Sequence, residues 1–165
     1  MKLVLHVGCG NQPIHDFLEG YKEVRLDIDQ DTNPDIVASM TNMGDIGEYD
    51  AIYGSHVLEH LAPHDVRKAM KEFYRVLKTG GMVVMIVPNL ANVRPTRDAV
   101  YSSPSGPITG LDMYYGKESL VEENPYMAHK TGFVPETLKA AFSEFDMVEI
   151  RELTTYNLLG IGVKK

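Results

Sequence analysis

Three short segments carry residue types that could hold a ligand. Gly8-Cys9-Gly10 follows an apolar run at residues 3–7, Asp27 lies 17 residues beyond Gly10, and Ser39-Met40 follows a run at residues 35–38. Glycines let the backbone turn sharply and let a ligand approach the peptide plane with no Cβ in the way. A carboxylate closing a second strand can accept two hydrogen bonds from a ribose diol. The Ser39 hydroxyl and the backbone at Met40 could read a base. Asp29 and Asp31 stand close by, but strand alternation places Asp27 nearest the crevice. A glycine bend followed by an acid at this spacing points to a nucleoside-bearing cofactor. Cys9 reads as a small packing residue of the bend rather than a nucleophile.

Three neighbouring chemistries fit less well. A dinucleotide fingerprint places a third glycine where this chain has Pro13. A phosphate-binding loop needs a Ser or Thr after its lysine, and Gly110 to Gly116-Lys117-Glu118 offers Glu118 at the wrong spacing. His56-Val57-Leu58-Glu59-His60 matches H-x-x-E-H, in which helical histidines bind zinc and the glutamate acts as base. That chemistry needs a continuous helix and a third ligand. Here the segment leaves a strand and Pro63 follows His60 closely, so no metal site is expected.

The elements that would position these residues alternate in type. Strands are expected at residues 3–7, 24–28, 35–38, 50–54 and 82–87, and a short helix at 13–19 starting on Pro13. Val66, Ala69, Met70, Phe73 and Leu77 form one apolar stripe of a helix over residues 64–77, ended by Gly80-Gly81. Residues 82–87, MVVMIV, suit a strand covered on both faces. Leu138, Ala141, Phe142 and Phe145 mark a later helix from Pro135, and residues 147–153 and 158–164 suit an antiparallel pair at the sheet edge. Short apolar runs alternating with helices indicate an α/β fold with a mostly parallel sheet. Residues 89–128 break the pattern with prolines, serines and tyrosines, and are expected to be an irregular insert that covers substrate.

The composition narrows the class. A chain of 165 residues suits one domain, 1–165. Sixteen Lys+Arg against 23 Asp+Glu give a net charge of −7, which speaks against a nucleic-acid partner. A 44% hydrophobic content with 24% charged residues is globular, and one cysteine cannot form an internal disulfide. No apolar run approaches the roughly 20 residues of a membrane span. MKLVLHVG lacks the features of a signal peptide, so a cytoplasmic protein is expected.

VGCGNQ, RLDID, DAIYGSHVLEHL and FYRVLKTGGMVVMIVPN together resemble the successive motifs of the class I S-adenosylmethionine-dependent methyltransferases. The similarity is greatest to small bacterial and phage members whose fourth-strand motif ends in His-x-Leu-Glu-His. It covers residues 3–90, and HKTGFVPETLKAAFSEF resembles a later helix of the same family. The resemblance implies a Rossmann-like three-layer sandwich with a seven-stranded, mostly parallel sheet and an antiparallel edge strand. It implies that Gly8, Cys9 and Gly10 border the methionine part of S-adenosyl-L-methionine, Asp27 holds the ribose and Ile28 packs on adenine. Ser39 and Met40 would lie at the adenine edge, with Ser55 and His56 closing the site. Relatives often carry an acid where Ser39 stands, and Thr79 replaces a usual proline.

The reaction so implied is methyl transfer to a small-molecule or sugar acceptor. His56 is the first candidate for a general base, because an imidazole accepts protons near neutrality. Tyr115 and His129 are candidates for substrate contact. A homo-oligomer, in which a second subunit helps to cover the site, is compatible with the chain. Two other readings stay open: a catalytically inactive partner protein that binds S-adenosylmethionine, and a nicotinamide-dependent reductase, which the absent third glycine disfavours.

Overall fold

The computed structural model describes all 165 residues. Strands β1 (Lys2–Val7), β2 (Tyr21–Asp27), β3 (Ile36–Val37), β4 (Tyr49–Ser55), β5 (Leu77–Pro88), β8 (Met147–Thr154) and β9 (Asn157–Val163) form one seven-stranded sheet. Its order is β3-β2-β1-β4-β5-β9-β8. The first five strands in that order are parallel, and β9 runs antiparallel to both β5 and β8. The antiparallel strand thus sits one place in from the edge, and β8 is the edge itself. Strand order reverses between β1 and β4, and in open α/β sheets ligands bind beyond the strand ends at that point.

One face of the sheet carries most of the core. Leu5, Ile52, Val83 and Met85 pack there under α1 (Pro63–Val76), which contributes Phe73 and Met70, and α4 (Pro135–Ala141), which contributes Leu138. Pro63 fits the first turn of α1, where its missing N–H is not needed. At the far end, Lys164 Nζ donates to the Tyr74 and Leu77 carbonyls at 2.8 and 2.7 Å, so a cation from the chain terminus satisfies the helix's last acceptors. Gly160 and Gly162 keep β9 flat against α4: a Cβ at Gly160 would stand 2.7 Å from the Phe142 ring.

The opposite face is thinly covered. Val4, Tyr53, Val84 and Ile86 are covered there by Leu18 and partly buried neighbours such as Ile14, with the exposed Phe17 edge-on to Tyr53. The helix expected over 13–19 is a single 3-10 turn, Asp16–Leu18. The connection from β1 to β2 has left-handed glycines at both ends, Gly8 (φ 59°), Gly10 (φ 47°) and Gly20 (φ 93°). Too few residues remain between them to repay the cost of helix nucleation.

The insert is ordered rather than irregular. It holds a hairpin of β6 (Ala99–Ser103) and β7 (Gly106–Thr109), then α2 (Gly110–Tyr115), α3 (Glu118–Glu123) and a 3-10 turn at Pro125–Met127. A reciprocal capping box between Thr109 and Asp112 starts α2. No element here exceeds six residues, which is too short to set a hydrophobic period. Among its contacts with the strand ends, Asn124 Nδ2 donates to Asp29 Oδ2 at 3.2 Å, and Tyr101 stacks on Tyr156 with ring centroids 5.1 Å apart. No helix is long and apolar enough to cross a membrane.

Phe73 is fully buried between α1 and the sheet. Phe73→Ala should cost about 3–5 kcal/mol in urea unfolding, seen as a lower midpoint with an unchanged slope. A loss under about 1 kcal/mol would mean that α1 is not the main cover of this face.

Candidate functional site

The pairing of Val7 with Leu26 puts the residues that follow, Gly8 and Asp27, side by side at the strand ends. Asp27 is buried, and its two oxygens take two amides: Gly10 N–H donates to Oδ2 at 2.8 Å and Asp29 N–H to Oδ1 at 2.9 Å. Arg25 grips the same bend from behind, donating to the Gly10 carbonyl at 2.6 Å and the Gln12 carbonyl at 3.2 Å. Glu23 accepts from the guanidinium at 3.5 Å and lies 2.6 Å from the ring nitrogen of buried His6. Each Asp27 oxygen still has a free lone-pair direction for a ligand hydroxyl.

Both glycines are required by geometry. Gly8 has a positive φ, and a Cβ there would stand 2.1 Å from Val57 Cγ2. Gly10 also has a positive φ, but its missing Cβ faces open space, as a bend approached by a ligand requires. Cys9 is buried, and burial raises its thiol pKa, so it packs and is not poised as a thiolate. Ile28 is 45% exposed at the end of β2, an apolar surface beside the acid. Ser39 follows β3 and shares a 2.8 Å hydrogen bond with the Thr41 hydroxyl, while Met40 packs partly into the core. These positions follow the C-terminal ends of the parallel strands β1, β2 and β3.

Ser55 ends β4, pairing with Ile86 of β5, and His56 follows with φ 54°, a left-handed conformation that a non-glycine residue rarely adopts. The turn aims the half-exposed His56 ring toward Glu59, with Nδ1 3.4 Å from Oε1. Glu59 is almost wholly buried, and neither carboxylate oxygen has a hydrogen bond of good geometry. His60 Nε2 meets the His56 carbonyl at 3.0 Å and Nδ1 the Ala128 carbonyl at 3.3 Å. His129 stacks edge-on against His60 at 5.1 Å, and its Nδ1 meets the Met113 carbonyl at 3.0 Å.

The electrostatics of this cluster centre on Glu59. Desolvation pushes its pKa up, but the three imidazoles outweigh that and hold it below the ordinary 4.5. Desolvation pulls His56 down, yet the Glu59 carboxylate reverses this and its pKa stands above the ordinary 6.5, with Asn157 adding in the same direction. His129 goes the other way, lowered mainly by burial. One imidazole is therefore a stronger base than usual and the other a weaker one.

The structure brings Gly8, Gly10, Asp27, Ser55 and His56 to one end of the sheet, and His129 joins them through Glu59 and His60. Tyr115 does not join through its phenol, which is 66% exposed; its carbonyl accepts from the His129 N–H at 3.1 Å. Sequence reasoning missed Arg25 as an organiser, and it took Glu59 and His60 to fix the loop without linking Glu59 to the His56 ring. The i,i+3 spacing of His56 and Glu59 was the available signal for Glu59. Nothing in the sequence pairs His60 with His129. Glu59, His60 and His129 bring one ligand atom each within 4.8 Å of one another. A cation there would have to displace one of the carbonyl contacts that hold His60.

Residues 5–85 match the family model described as a methyltransferase domain. No curated protein sequence matches the chain. Among solved structures, the PH0226 protein of Pyrococcus horikoshii OT3 is similar over 99% of this chain and 82% of its own, with TM-score 0.69 and 15% identity. A SAM-dependent methyltransferase from Archaeoglobus fulgidus gives TM-score 0.67 at 18% identity, covering 99% and 86%. The glycopeptide N-methyltransferase MtfA, solved with S-adenosyl-L-methionine, gives TM-score 0.66 at 12% identity, covering 100% and 88%. At these identities the structures establish a shared fold.

The Glu59 charge makes a direct prediction. In an NMR titration the His56 ring should change protonation above pH 6.5, and Glu59→Gln should move the midpoint down. By linkage, the raised His56 pKa adds stability at low pH that is lost as pH rises through its folded value. The lowered Glu59 pKa adds stability above its unfolded value that is lost on acidification. The pair should therefore stabilise the fold most between roughly pH 4.5 and 6.5 and less as pH rises on through the His56 midpoint, a profile that Glu59→Gln flattens in urea unfolding at stepped pH.

Proposed function

We propose, from the match of residues 5–85 to a methyltransferase domain and the fold shared with S-adenosylmethionine-dependent enzymes, that this chain transfers the methyl group of S-adenosyl-L-methionine to a small-molecule or sugar acceptor. The observation that carries the reading is the bend at Gly8 and Gly10, joined by a 2.8 Å hydrogen bond to a buried acid at the topological switch point. Asp27 would accept the ribose hydroxyls, Gly8, Cys9 and Gly10 would line the methionine part, and Ile28, Ser39 and Met40 would flank adenine. Ser55 and His56 would close the site on the acceptor side.

When bound, the cofactor supplies an electrophilic methyl on a sulfonium. The task left to the protein is in-line positioning and exclusion of water, worth roughly 7–11 kcal/mol in well-oriented systems. The insert supplies the cover: it is tied to the rim by Asn124 and Asp29, and to the far side by Tyr101 and Tyr156. His56 takes the acceptor's proton as the bond to the methyl forms. Glu59 raises the basicity of that ring and stabilises the imidazolium produced. Their 3.4 Å separation is the loose contact expected before a substrate tightens it. Small-molecule chemistry is favoured by a site enclosed by so short an insert, and the −7 net charge disfavours a polynucleotide acceptor.

S-adenosylhomocysteine at 100 times its dissociation constant should stabilise the protein by about 2.7 kcal/mol, a rise of roughly 5–10 °C in melting temperature for this size. NADH should give no rise, and Asp27→Ala should abolish the one with S-adenosylhomocysteine. Equal response to NADH, or none to either adenosyl compound, would contradict the assignment. With a hydroxyl acceptor, His56→Gln should lower kcat by about 10²–10⁴-fold while leaving that melting shift in place.

A further inference from the structure

The free edge of β8 carries a residue pattern that is its own complement. Strand β8 pairs with β9 on one side only and forms the outer edge of the sheet. The other sheet edge, β3, has two residues, so β8 is the one long stretch of unpaired backbone donors and acceptors. Its odd-numbered side chains Met147, Glu149, Arg151 and Leu153 are all exposed. Met147 is 55% and Leu153 47% exposed, and Arg151 Nε stands 3.6 Å from Glu149 Oε1 on the same face. Exposed apolar residues on an edge strand are a pairing hazard unless something covers them.

We propose that two copies of this chain join antiparallel through β8 about a two-fold axis at Ile150, continuing the sheet across the dimer. A two-fold axis normal to the sheet keeps each face on its own side, so only registers that oppose odd with odd residues are allowed. With Ile150 opposite itself, Glu149 meets Arg151 of the partner subunit and Met147 meets Leu153 of the partner subunit, each pair occurring twice. Opposite charges and apolar pairs directly across from each other are the stabilising cross-strand combinations. The two neighbouring allowed registers set Glu149 or Arg151 against its own copy, and like charges there are unfavourable. Charge thus selects one register out of three. The pairing of β8 with β9 slips between Glu152 and Thr154, which ends the regular edge where this register ends.

The same joint covers the thin face. Arg151 and Leu153 line a hollow of about 280 Å³ with Phe17, Leu159 and Ile161, and Phe17 is 47% exposed. Met147 of the partner subunit would arrive beside Leu153 at its rim. None of this depends on the methyl-transfer reading, since the edge lies apart from the strand ends that bear Asp27 and His56.

Sedimentation equilibrium of the full chain at low salt should show a dimer. Arg151→Glu and, separately, Glu149→Arg should each weaken it at least tenfold by facing like charges. The double variant E149R/R151E should restore the dimer to within about threefold, because the exchanged charges pair again across the axis. Amide exchange in β8 should be slow in the wild type and fast in either single variant. Far-UV circular dichroism and S-adenosylhomocysteine binding should be unchanged in all three. A wild-type chain monomeric at 100 µM, single variants that dimerise normally, or a double variant that stays monomeric would each overturn the proposal.

Discussion

Two amide hydrogens converging on one carboxylate organise the ligand-binding end of this protein. Gly10 and Asp29 belong to different loops, and Asp27 holds both at 2.8 and 2.9 Å. Arg25 holds the opposite polar group of the same bend, the Gly10 carbonyl. The bend is therefore gripped through both its donor and its acceptor by residues two apart on β2, whose side chains leave the same side of the strand. Bonds to charged partners are shorter and stronger than neutral ones, which fixes a conformation that glycine would otherwise leave loose. Without Asp27 the glycine loop and the turn that follows β2 lose their common reference point.

A second buried acid organises the acceptor side. Isolating a carboxylate from water costs several kcal/mol unless charge or hydrogen bonds compensate. Glu59 meets this with the imidazoles of His56, His60 and His129, drawn from two segments far apart in sequence. Its backbone carbonyl accepts from Lys130 and Thr131 at 2.7 and 3.1 Å, and the Thr131 hydroxyl donates to the Leu61 carbonyl at 2.6 Å. The residue that tunes His56 thus also anchors the end of the insert. The end of the insert and the His56 ring are thus positioned by one side chain and its own peptide, so a movement of the insert would also move that ring.

Local rules made the glycine bend and its neighbouring acid readable from sequence. Gly8, Gly10 and Asp27 lie within one strand–turn–strand unit, where alternation and turn chemistry decide which residue faces the crevice. The stripe Val66, Ala69, Met70, Phe73 spans enough turns to identify α1 without tertiary information. The acceptor side resisted the same reasoning. His60 and His129 meet only because residues 89–128 fold back over the strand ends. Four- to six-residue elements such as β7 and α2 leave no periodic trace. The expected helix at 13–19 failed for a related reason: of its apolar residues only Leu18 is buried and Phe17 stays exposed, and the flanking glycines leave room for one turn.

The central claim is tested most directly by following backbone amide resonances as S-adenosylhomocysteine is added to the wild-type chain. Saturable changes should concentrate at Gly8 to Gly10, Asp27 to Asp29, Ser39, Met40, Ser55 and His56, with the Gly10 and Asp29 amides among the largest because the Asp27 carboxylate they share takes on new partners. Changes centred instead on Phe17, Leu153 and Ile161, or no saturable change at the Gly10 amide, would contradict the account.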